Sequence, residues 1–314
     1  MKVALIGGTG FVGNYIVTAL GGEGHEVSLL MRPGSDDKIP AGDHCRVTRG
    51  DINSTEALDS TLTDCDAVIY TVGILRESPK QGMTFEALQY DGVVQMVESA
   101  RRCGVDRVLL MSANGVYTEG TPYQSTKARA EEYVLASGLA ATVFRPSAIF
   151  GDPHGRMEIG TQLCRDIVRV PWPAIGFFTG LSPVTGAVMM SPVHAADVAS
   201  AFTAALADPS TVGKTYVLGG PENLSWTQMI RTIAEAVGRR KWIFPCPIVL
   251  MKLAATLLDW LPGFPVTRDQ LTMLAEGNTA DVAVLESLIR RAPLRFEPES
   301  LAYLRSPAKR LPLI

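Results

Sequence analysis

The fold is decided by Met1-Lys2-Val3-Ala4-Leu5-Ile6-Gly7-Gly8-Thr9-Gly10-Phe11-Val12-Gly13-Asn14-Tyr15, the first fifteen residues. An apolar run typical of a buried parallel strand leads into three spaced glycines and then into an amphipathic helix. Gly7 permits a tight turn, Gly10 lets backbone N–H groups approach a phosphate, and Gly13 lets the helix pack closely on the strand. We therefore predict that this loop, including Thr9, Phe11 and Val12, binds a dinucleotide. The alternative is an ordinary glycine-rich turn.

The composition describes an ordered globular protein. The chain has 314 residues, 46% hydrophobic and 19% charged, which allows one elaborated domain or two lobes. A formal net charge of −3 gives no reason to expect a nucleic-acid partner. The five cysteines lie far apart without a CxxC spacing, and the four histidines form no cluster. The sequence therefore predicts a reduced, cytoplasmic setting, with neither a disulfide framework nor a metal site.

Two further observations concern membranes. Cleavage of a signal peptide would remove the glycine loop, and no run reaches the roughly 18 uncharged apolar residues of a transmembrane helix. The segment from Trp242 to Pro262 is rich in apolar residues but is interrupted by Lys252 and Asp259. Packing on its own domain is the favoured interpretation. The alternative is a lid, or a contact for a lipid-like substrate, a membrane surface or a protein partner, which would make the chain peripheral to the inner face of a membrane.

Strands and helices alternate along the first half of the chain. Strands are predicted at about 25–31, 45–48, 67–70, 107–111 and 141–144, with helices at about 85–103 and 123–137 between them. This order predicts a Rossmann-type doubly wound parallel sheet in residues 1–150, completed by about 187–220 with a returning strand at 215–218. Residues 151–186 and 221–314 are expected to form a smaller, α-rich lobe for substrate or partner. Its helices are predicted near 157–170, 225–238, 248–261 and 267–276.

The residue that ends the second strand determines which dinucleotide fits. An acidic residue there would bind the adenosine ribose and repel a 2′-phosphate. This chain has Arg32 instead, with Ser35 and Lys38 close by. We therefore predict NADP(H) in preference to NAD(H). The alternative is that Arg32 is an ordinary solvated charge.

The ends of the third and fourth strands supply further candidate contacts. Asp51 is placed to accept from the adenine amino group, and Ile52 to pack on the ring. The alternative for Asp51 is a cap on the next helix. Val72 and Gly73 end the fourth strand, where the backbone would pass under the pyrophosphate and the nicotinamide ribose.

A phenol and an ammonium are predicted to share one helical face. Tyr123 and Lys127 are four residues apart, and a lysine near a tyrosine favours the phenolate. Such a pair can transfer a proton at a carbonyl or alcohol while hydride moves to or from nicotinamide. The same spacing is also common on solvated helix faces, but its position after the fifth strand of a dinucleotide-binding chain favours a role at the cofactor site.

These motifs resemble the short-chain dehydrogenase/reductase superfamily in its extended or atypical, epimerase/dehydratase-like branch. The similarity covers roughly residues 1–220. It rests on the glycine loop, Asp51-Ile52, Met111-Ser112-Ala113, Tyr123 with Lys127, and Arg145-Pro146-Ser147-Ala148-Ile149-Phe150-Gly151. Within that branch the chain is most similar to the group of the NADPH-binding accessory subunit of respiratory complex I and its bacterial relatives. Val72-Gly73-Ile74-Leu75-Arg76-Glu77, Pro192-Val193-His194 and Pro265-Val266-Thr267-Arg268-Asp269-Gln270-Leu271 carry this narrower match.

The resemblance implies roles for individual residues. Tyr123 would be the acid/base, Lys127 would bind the nicotinamide ribose and lower the tyrosine pKa, and Pro146 and Ser147 would line the nicotinamide end. Active relatives usually carry a second hydroxyl after the fifth strand, where this chain has Ala113. Ser112 or Asn114 could replace it.

Two functions follow from these residues. The first is an NADPH-dependent oxidoreductase acting on an unknown small carbonyl or quinone-like compound through Tyr123 and Lys127. The second is a non-catalytic NADPH-binding accessory or assembly factor of a respiratory or quinone-biosynthesis complex. The sequence favours the first slightly.

Overall fold

Seven parallel strands form the main sheet of the computed structural model, which describes residues 1–35, 44–258 and 268–305. They are β1 (Lys2–Ile6), β2 (Glu26–Met31), β3 (Cys45–Arg49), β4 (Ala67–Tyr70), β5 (Arg107–Met111), β6 (Ala140–Pro146) and β11 (Thr215–Leu218). Their order across the sheet is β11-β6-β5-β4-β1-β2-β3. Since β1 pairs in parallel with both β2 and β4, the chain winds outward in both directions from β1. The predicted fold class is confirmed.

Ten α-helices are present in the described residues. They are α1 (Phe11–Gly22), α2 (Thr55–Leu62), α3 (Gly92–Cys103), α4 (Pro122–Leu135), α5 (Ile159–Leu163), α6 (Ala195–Ala207), α7 (Trp226–Ala236), α8 (Ile248–Leu258), α9 (Arg268–Glu276) and α10 (Val282–Ile289). The start of α4 is fixed by a reciprocal capping box between Thr121 and Gln124. Local sequence signals therefore set where the helix that carries Tyr123 and Lys127 begins.

Contacts divide the chain into two compact units. The first comprises Met1–Pro146, Ala195–Leu218 and Ala283–Arg291, and the second comprises Ser147–His194, Gly219–Val282 and Ala292–Ile314. The division drawn from the sequence placed residues 147–150 and about 187–194 in the larger domain, whereas they belong to the second unit. It also differs at Ala283–Arg291, which it assigned to the smaller lobe. Most of α10 lies in this segment. The sequence did not indicate this helix because only Leu285 among its eight residues is buried.

The first unit has an apolar core on each face of its sheet. On one face, side chains such as Tyr70, Met96 and Val134 pack between the strands and α2, α3 and α4. On the other face, α1 packs against α6. β1 and β4 are buried along almost their whole lengths, as expected of a parallel sheet covered by helices on both sides.

The described residues of the second unit form three two-stranded sheets and a separate core, which includes Phe150, Leu163 and Trp226. The pairs are β7 (Ile149–Phe150) with β10 (Val193–His194), β9 (Met189–Met190) with β12 (Leu224–Ser225), and β8 (Ala174–Phe178) with β13 (Ile243–Pro247). The sequence missed β13 because Pro245 and Pro247 lack N–H groups. A strand of a two-stranded sheet tolerates proline because it has a free edge. Residues 259–262 of the predicted apolar stretch lie outside the described residues.

Candidate active site

The predicted site residues of the first unit lie at or near the carboxyl edge of its sheet. Ser112 follows β5, Val72 and Gly73 lie just beyond β4, the glycine loop follows β1, Arg32 follows β2, and Asp51 lies just beyond β3. Because these five strands are adjacent and parallel, their carboxyl ends form one continuous row. Ligands of open α/β sheets bind along such an edge, at the point where the strand order reverses.

In the glycine loop, the backbone at the end of β1 lies in close contact with the start of α1 and with the segment that follows β4. Gly7 has a φ of +98°, and a Cβ at this position would lie 2.5 Å from the Thr71 hydroxyl oxygen. A Cβ on Gly13 would overlap the Gly7 carbonyl oxygen and lie 2.7 Å from Cα of Gly8. Gly10 is the N-cap of α1, and no side chain caps this helix. The loop and helix N-terminus therefore fit the phosphates of a dinucleotide.

Arg32 lies in a tight turn beyond β2. Its side chain is exposed, and its Nη1 lies 3.8 Å from the Met83 sulfur. The Ser35 N–H donates to the Arg32 carbonyl oxygen at 3.2 Å, which closes the turn. Lys38 lies outside the described residues. The guanidinium is therefore accessible to an anionic ligand.

Asp51 and Ile52 have partners within the protein. The Asp51 Oδ1 accepts from the backbone N–H and the side-chain amide of Asn53, at 3.0 and 2.7 Å. Ser54 caps α2, so the alternative that Asp51 caps this helix is wrong. Ile52 is buried in the core, where its Cδ1 crowds the position that a Cβ of Gly92 would occupy. The adenine contacts of both residues stay predictions.

Several elements of the first unit contribute polar side chains to a small crevice. Val72, Ser112 and Lys127 line it together with Tyr70, Gln89 and Met111. The Lys127 Nζ donates to the Met111 carbonyl oxygen at 3.3 Å and would lie 3.5 Å from a Cβ at Gly73. The Ser112 hydroxyl is buried and finds no hydrogen-bond partner within the described part of the chain. The crevice therefore contains a buried ammonium group and a buried hydroxyl without a partner in the described residues.

Tyr123 lies in the first turn of α4, on the same face as Lys127. Its half-buried ring packs edge-to-face on Phe85, and the Lys127 Nζ lies 5.8 Å from the ring centroid. Burial raises the pKa of the Tyr123 phenol above its usual value. Burial also lowers the pKa of the Lys127 ammonium to about 8, an effect that the Glu131 carboxylate partly offsets.

These pKa directions correct one expectation. The resemblance implied that Lys127 lowers the pKa of Tyr123, but here desolvation of the phenol raises this pKa. Tyr123 is therefore a protonated phenol at neutral pH, which is the form of a proton donor.

Pro146 and Ser147 continue from the end of β6. The Pro146 carbonyl oxygen accepts from the Asn114 N–H at 2.9 Å. Ser147 begins the second unit, where its hydroxyl donates to the Asn278 carbonyl oxygen at 2.8 Å. The Ser147 side chain thus has a structural partner.

The sequence did not single out Gln89, which is 2% exposed. Its side-chain amide donates to the Ile74 carbonyl oxygen at 2.9 Å and accepts from the Thr126 hydroxyl at 3.1 Å. Gln89 therefore joins the loop beyond β4 to α4. The sequence could have indicated a buried role for Gln89, because this polar residue follows Leu88 on the apolar face of the predicted helix.

We expect Lys127→Met to raise the free energy of unfolding at neutral pH, by about 3 kcal/mol at most. The reason is that folding transfers a charged ammonium into a site where its pKa is about 8, against 10.5 for the ordinary side chain. Between these values the unfolded chain binds more protons, so the wild type gains stability as pH rises. Urea unfolding at a series of pH values should show the difference between variant and wild type shrinking above pH 8. A constant difference would contradict the pKa.

Several features of the described residues bear on other classes of function. All five cysteines are free thiols, and no group of three or more His, Cys, Asp or Glu side chains is placed to share a metal ion. None of the described helices combines the length and hydropathy needed to cross a bilayer.

The fold and the glycine loop together define a dinucleotide-binding protein of the doubly wound class. The family model for the NAD dependent epimerase/dehydratase family matches residues 3–219, and the chain belongs to this family. The predicted membership of the extended short-chain dehydrogenase/reductase superfamily is confirmed.

Curated relatives include both NADH dehydrogenase subunits and a reductase. NADH dehydrogenase (ubiquinone) 1 alpha subcomplex subunit 9, mitochondrial, of Arabidopsis thaliana is 27% identical over 95% of this chain and 74% of its own length. Ceramide reductase of Caulobacter vibrioides is 26% identical over 82% of this chain and 77% of its own length. Among solved structures, MoeE5 in complex with UDP-glucose and NAD has a TM-score of 0.70 at 21% identity, covering 97% of each chain. The similarity to that structure shows the fold.

Proposed function

We propose that the chain is an NADPH-dependent oxidoreductase that reduces a small carbonyl or quinone-like compound. One observation carries this proposal. A phenol with a raised pKa and a buried ammonium share one face of α4, beside the carboxyl end of β4. The reductase among the relatives gives independent support.

Each residue of this site has a defined chemical task. Bound NADPH would supply a hydride to the carbonyl carbon. The Tyr123 phenol donates its proton to the carbonyl oxygen, so that an alcohol forms, and solvent later returns the proton. The Lys127 ammonium binds the nicotinamide ribose and stabilises the phenolate left behind. The Ser112 hydroxyl, which has no partner in the described residues, orients the substrate. It replaces the hydroxyl that active relatives usually carry at the position of Ala113.

The proposal is tested by mixing the purified chain with NADPH and a panel of small aldehydes, ketones and quinones. We expect at least one compound to accelerate loss of the dihydronicotinamide absorbance, with saturation kinetics. A reaction without protein and one with Lys127→Met are the controls. No acceleration by any panel member, with NADPH shown to bind, would contradict the proposal.

The preference for NADP(H) is expected to depend on Arg32. Arg32→Ala should weaken NADPH binding about tenfold or more, the value of a lost charge-assisted hydrogen bond, and leave NADH binding unchanged. Arg46→Ala removes another exposed arginine, from β3, and should change neither affinity. Fluorescence titrations of the three proteins with both cofactors provide the measurement. If wild type bound NADH as tightly as NADPH, the preference would be wrong.

A second candidate function is a non-catalytic, NADPH-binding accessory or assembly factor of a respiratory or quinone-biosynthesis complex. Ala113 and the relatives among complex I subunits favour it. The chain would then work on the cytoplasmic side, at the inner face of a membrane, and its second unit would contact the partner. In that case NADPH would bind at a ratio of one per chain, and every member of the panel would leave it unoxidised.

A further inference from the structure

The second unit carries large apolar side chains on its surface. Nine of the sixteen large apolar residues that are exposed in the described chain lie in two segments, 172–184 and 242–253. Trp242 is 77% exposed, Trp172 69% and Val249 66%. Soluble domains seldom expose so many large apolar groups in so few residues. We call the following set the apolar patch: Trp172, Ile175, Trp242, Phe244, Val249 and Leu253.

Strand register explains why part of this patch faces outward. Ile175 of β8 and Phe244 of β13 are paired in register, and both are exposed. Their neighbours Ala174 and Ile243 are also paired, and they pack in the core of the unit. Because side chains alternate between the faces of a strand, the outer face of this sheet is apolar as well as the inner face.

The helix that follows β13 repeats this division. Ile248 and Met251 of α8 pack in the core. Val249 and Leu253, which are one turn apart, are exposed together with Leu250. The sequence had favoured packing of the whole stretch on its own domain. The structure divides it, since the inward residues pack there and the outward residues are exposed.

Cations adjoin the apolar patch. Arg231, Arg239, Arg240 and Lys241 line one surface depression, in which Glu235 is the one acid. The Lys241 Nζ donates to the Val170 carbonyl oxygen at 2.6 Å, and Arg239 donates to the Arg169 carbonyl oxygen at 2.9 Å. These bonds join the segment that precedes Trp242 to the segment that precedes Trp172, so the cations lie beside the apolar patch. Burial lowers the pKa of the Lys241 ammonium, and the nearby Arg239 charge lowers it further.

We propose that the apolar patch and the adjoining depression dock the chain on an anionic lipid surface. Tryptophan, phenylalanine and leucine side chains beside arginine and lysine are the composition by which proteins lie in the membrane interface. The cations would bind lipid phosphates while the aromatic rings enter the headgroup region. The inference goes beyond the proposed reaction, and vesicle binding is measured without turnover, so each can fail independently.

The test is co-sedimentation of the full chain with vesicles of equal parts phosphatidylglycerol and phosphatidylcholine, and with vesicles of phosphatidylcholine alone. We expect binding to the anionic vesicles and much weaker binding to the neutral ones. Trp242→Ala/Phe244→Ala should lower the partition coefficient at least tenfold. Arg240→Gln should lower it about fivefold, by the loss of one charge near the surface.

Matched controls separate this surface from general stickiness. Leu135→Ala/Val212→Ala removes two exposed apolar side chains from the first unit, and Lys214→Gln removes an exposed charge there. Both should bind vesicles like wild type, and NADPH titration checks that every variant is folded. Wild type that stays in the supernatant, or equal binding to both vesicle types, would overturn the proposal. So would a dimer in solution that Trp242→Ala/Phe244→Ala dissociates, because a second copy would then cover the patch.

Discussion

Tyr123→Phe is expected to slow reduction of the substrate by about 10²- to 10⁴-fold, the usual contribution of a positioned proton donor. The substitution removes only the hydroxyl and keeps the ring that packs on Phe85. NADPH affinity should be unchanged, because the backbone loop and Lys127 remain in place. Single-turnover oxidation of bound NADPH measures the effect without interference from product release.

Tyr133→Phe is the matched control, since it removes a hydroxyl from the same helix. The Tyr133 hydroxyl donates to the Glu98 carboxylate at 2.9 Å, and Tyr133 does not line the crevice. Its loss should cost about 1 kcal/mol of stability and leave turnover intact. Equal turnover in wild type and Tyr123→Phe would rule out the proposed acid, whereas equal losses in the two variants would indicate a folding defect.

Gly13→Ala is expected to abolish measurable dinucleotide binding and to destabilise the chain by about 1–3 kcal/mol. The added Cβ would meet the backbone of Gly7 and Gly8, which is fixed at the end of a buried strand and cannot move aside cheaply. To relieve the overlap, α1 must move away from β1, and its N-terminus then leaves the position from which it would contact a phosphate. Thermal unfolding and NADPH titration measure the two effects.

Gly22→Ala makes the same change at the other end of α1. A Cβ there meets nothing within 4 Å, so stability should stay constant or rise by about 0.5–1 kcal/mol. NADPH affinity should not change. Retention of full NADPH affinity by Gly13→Ala would show that close contact between helix and loop is not required.

The regular part of the fold was predictable because local and long-range signals agree. The buried strands, the glycine loop and the capping residues of α4 each specify the same alternation of strands and helices. The site followed from topology, because residues beyond parallel strands must lie at one edge. The order in which the site residues lie along this edge, from Ser112 to Asp51, could be read only from the strand pairing in the structure.

What the sequence missed depends on packing. The pKa of Tyr123 is raised rather than lowered because the phenol is desolvated, and burial cannot be calculated from a spacing of four residues. β13 was hidden by its two prolines, which are tolerated because β13 pairs only with β8 among the described strands. Gln89 needed the positions of both Ile74 and Thr126 before its role in joining loop and helix was apparent.

Deuterium transfer from NADPH labelled at its hydride-donating carbon tests the central claim most directly. The labelled cofactor, the chain and a carbonyl compound from the panel are incubated together, and the alcohol is examined by mass spectrometry. The proposed reaction predicts deuterium on the former carbonyl carbon of the alcohol with wild type, and almost none with Tyr123→Phe. Labelled NADPH that binds the wild-type chain but keeps its deuterium with every carbonyl compound would contradict the claim and leave a protein that only binds its cofactor.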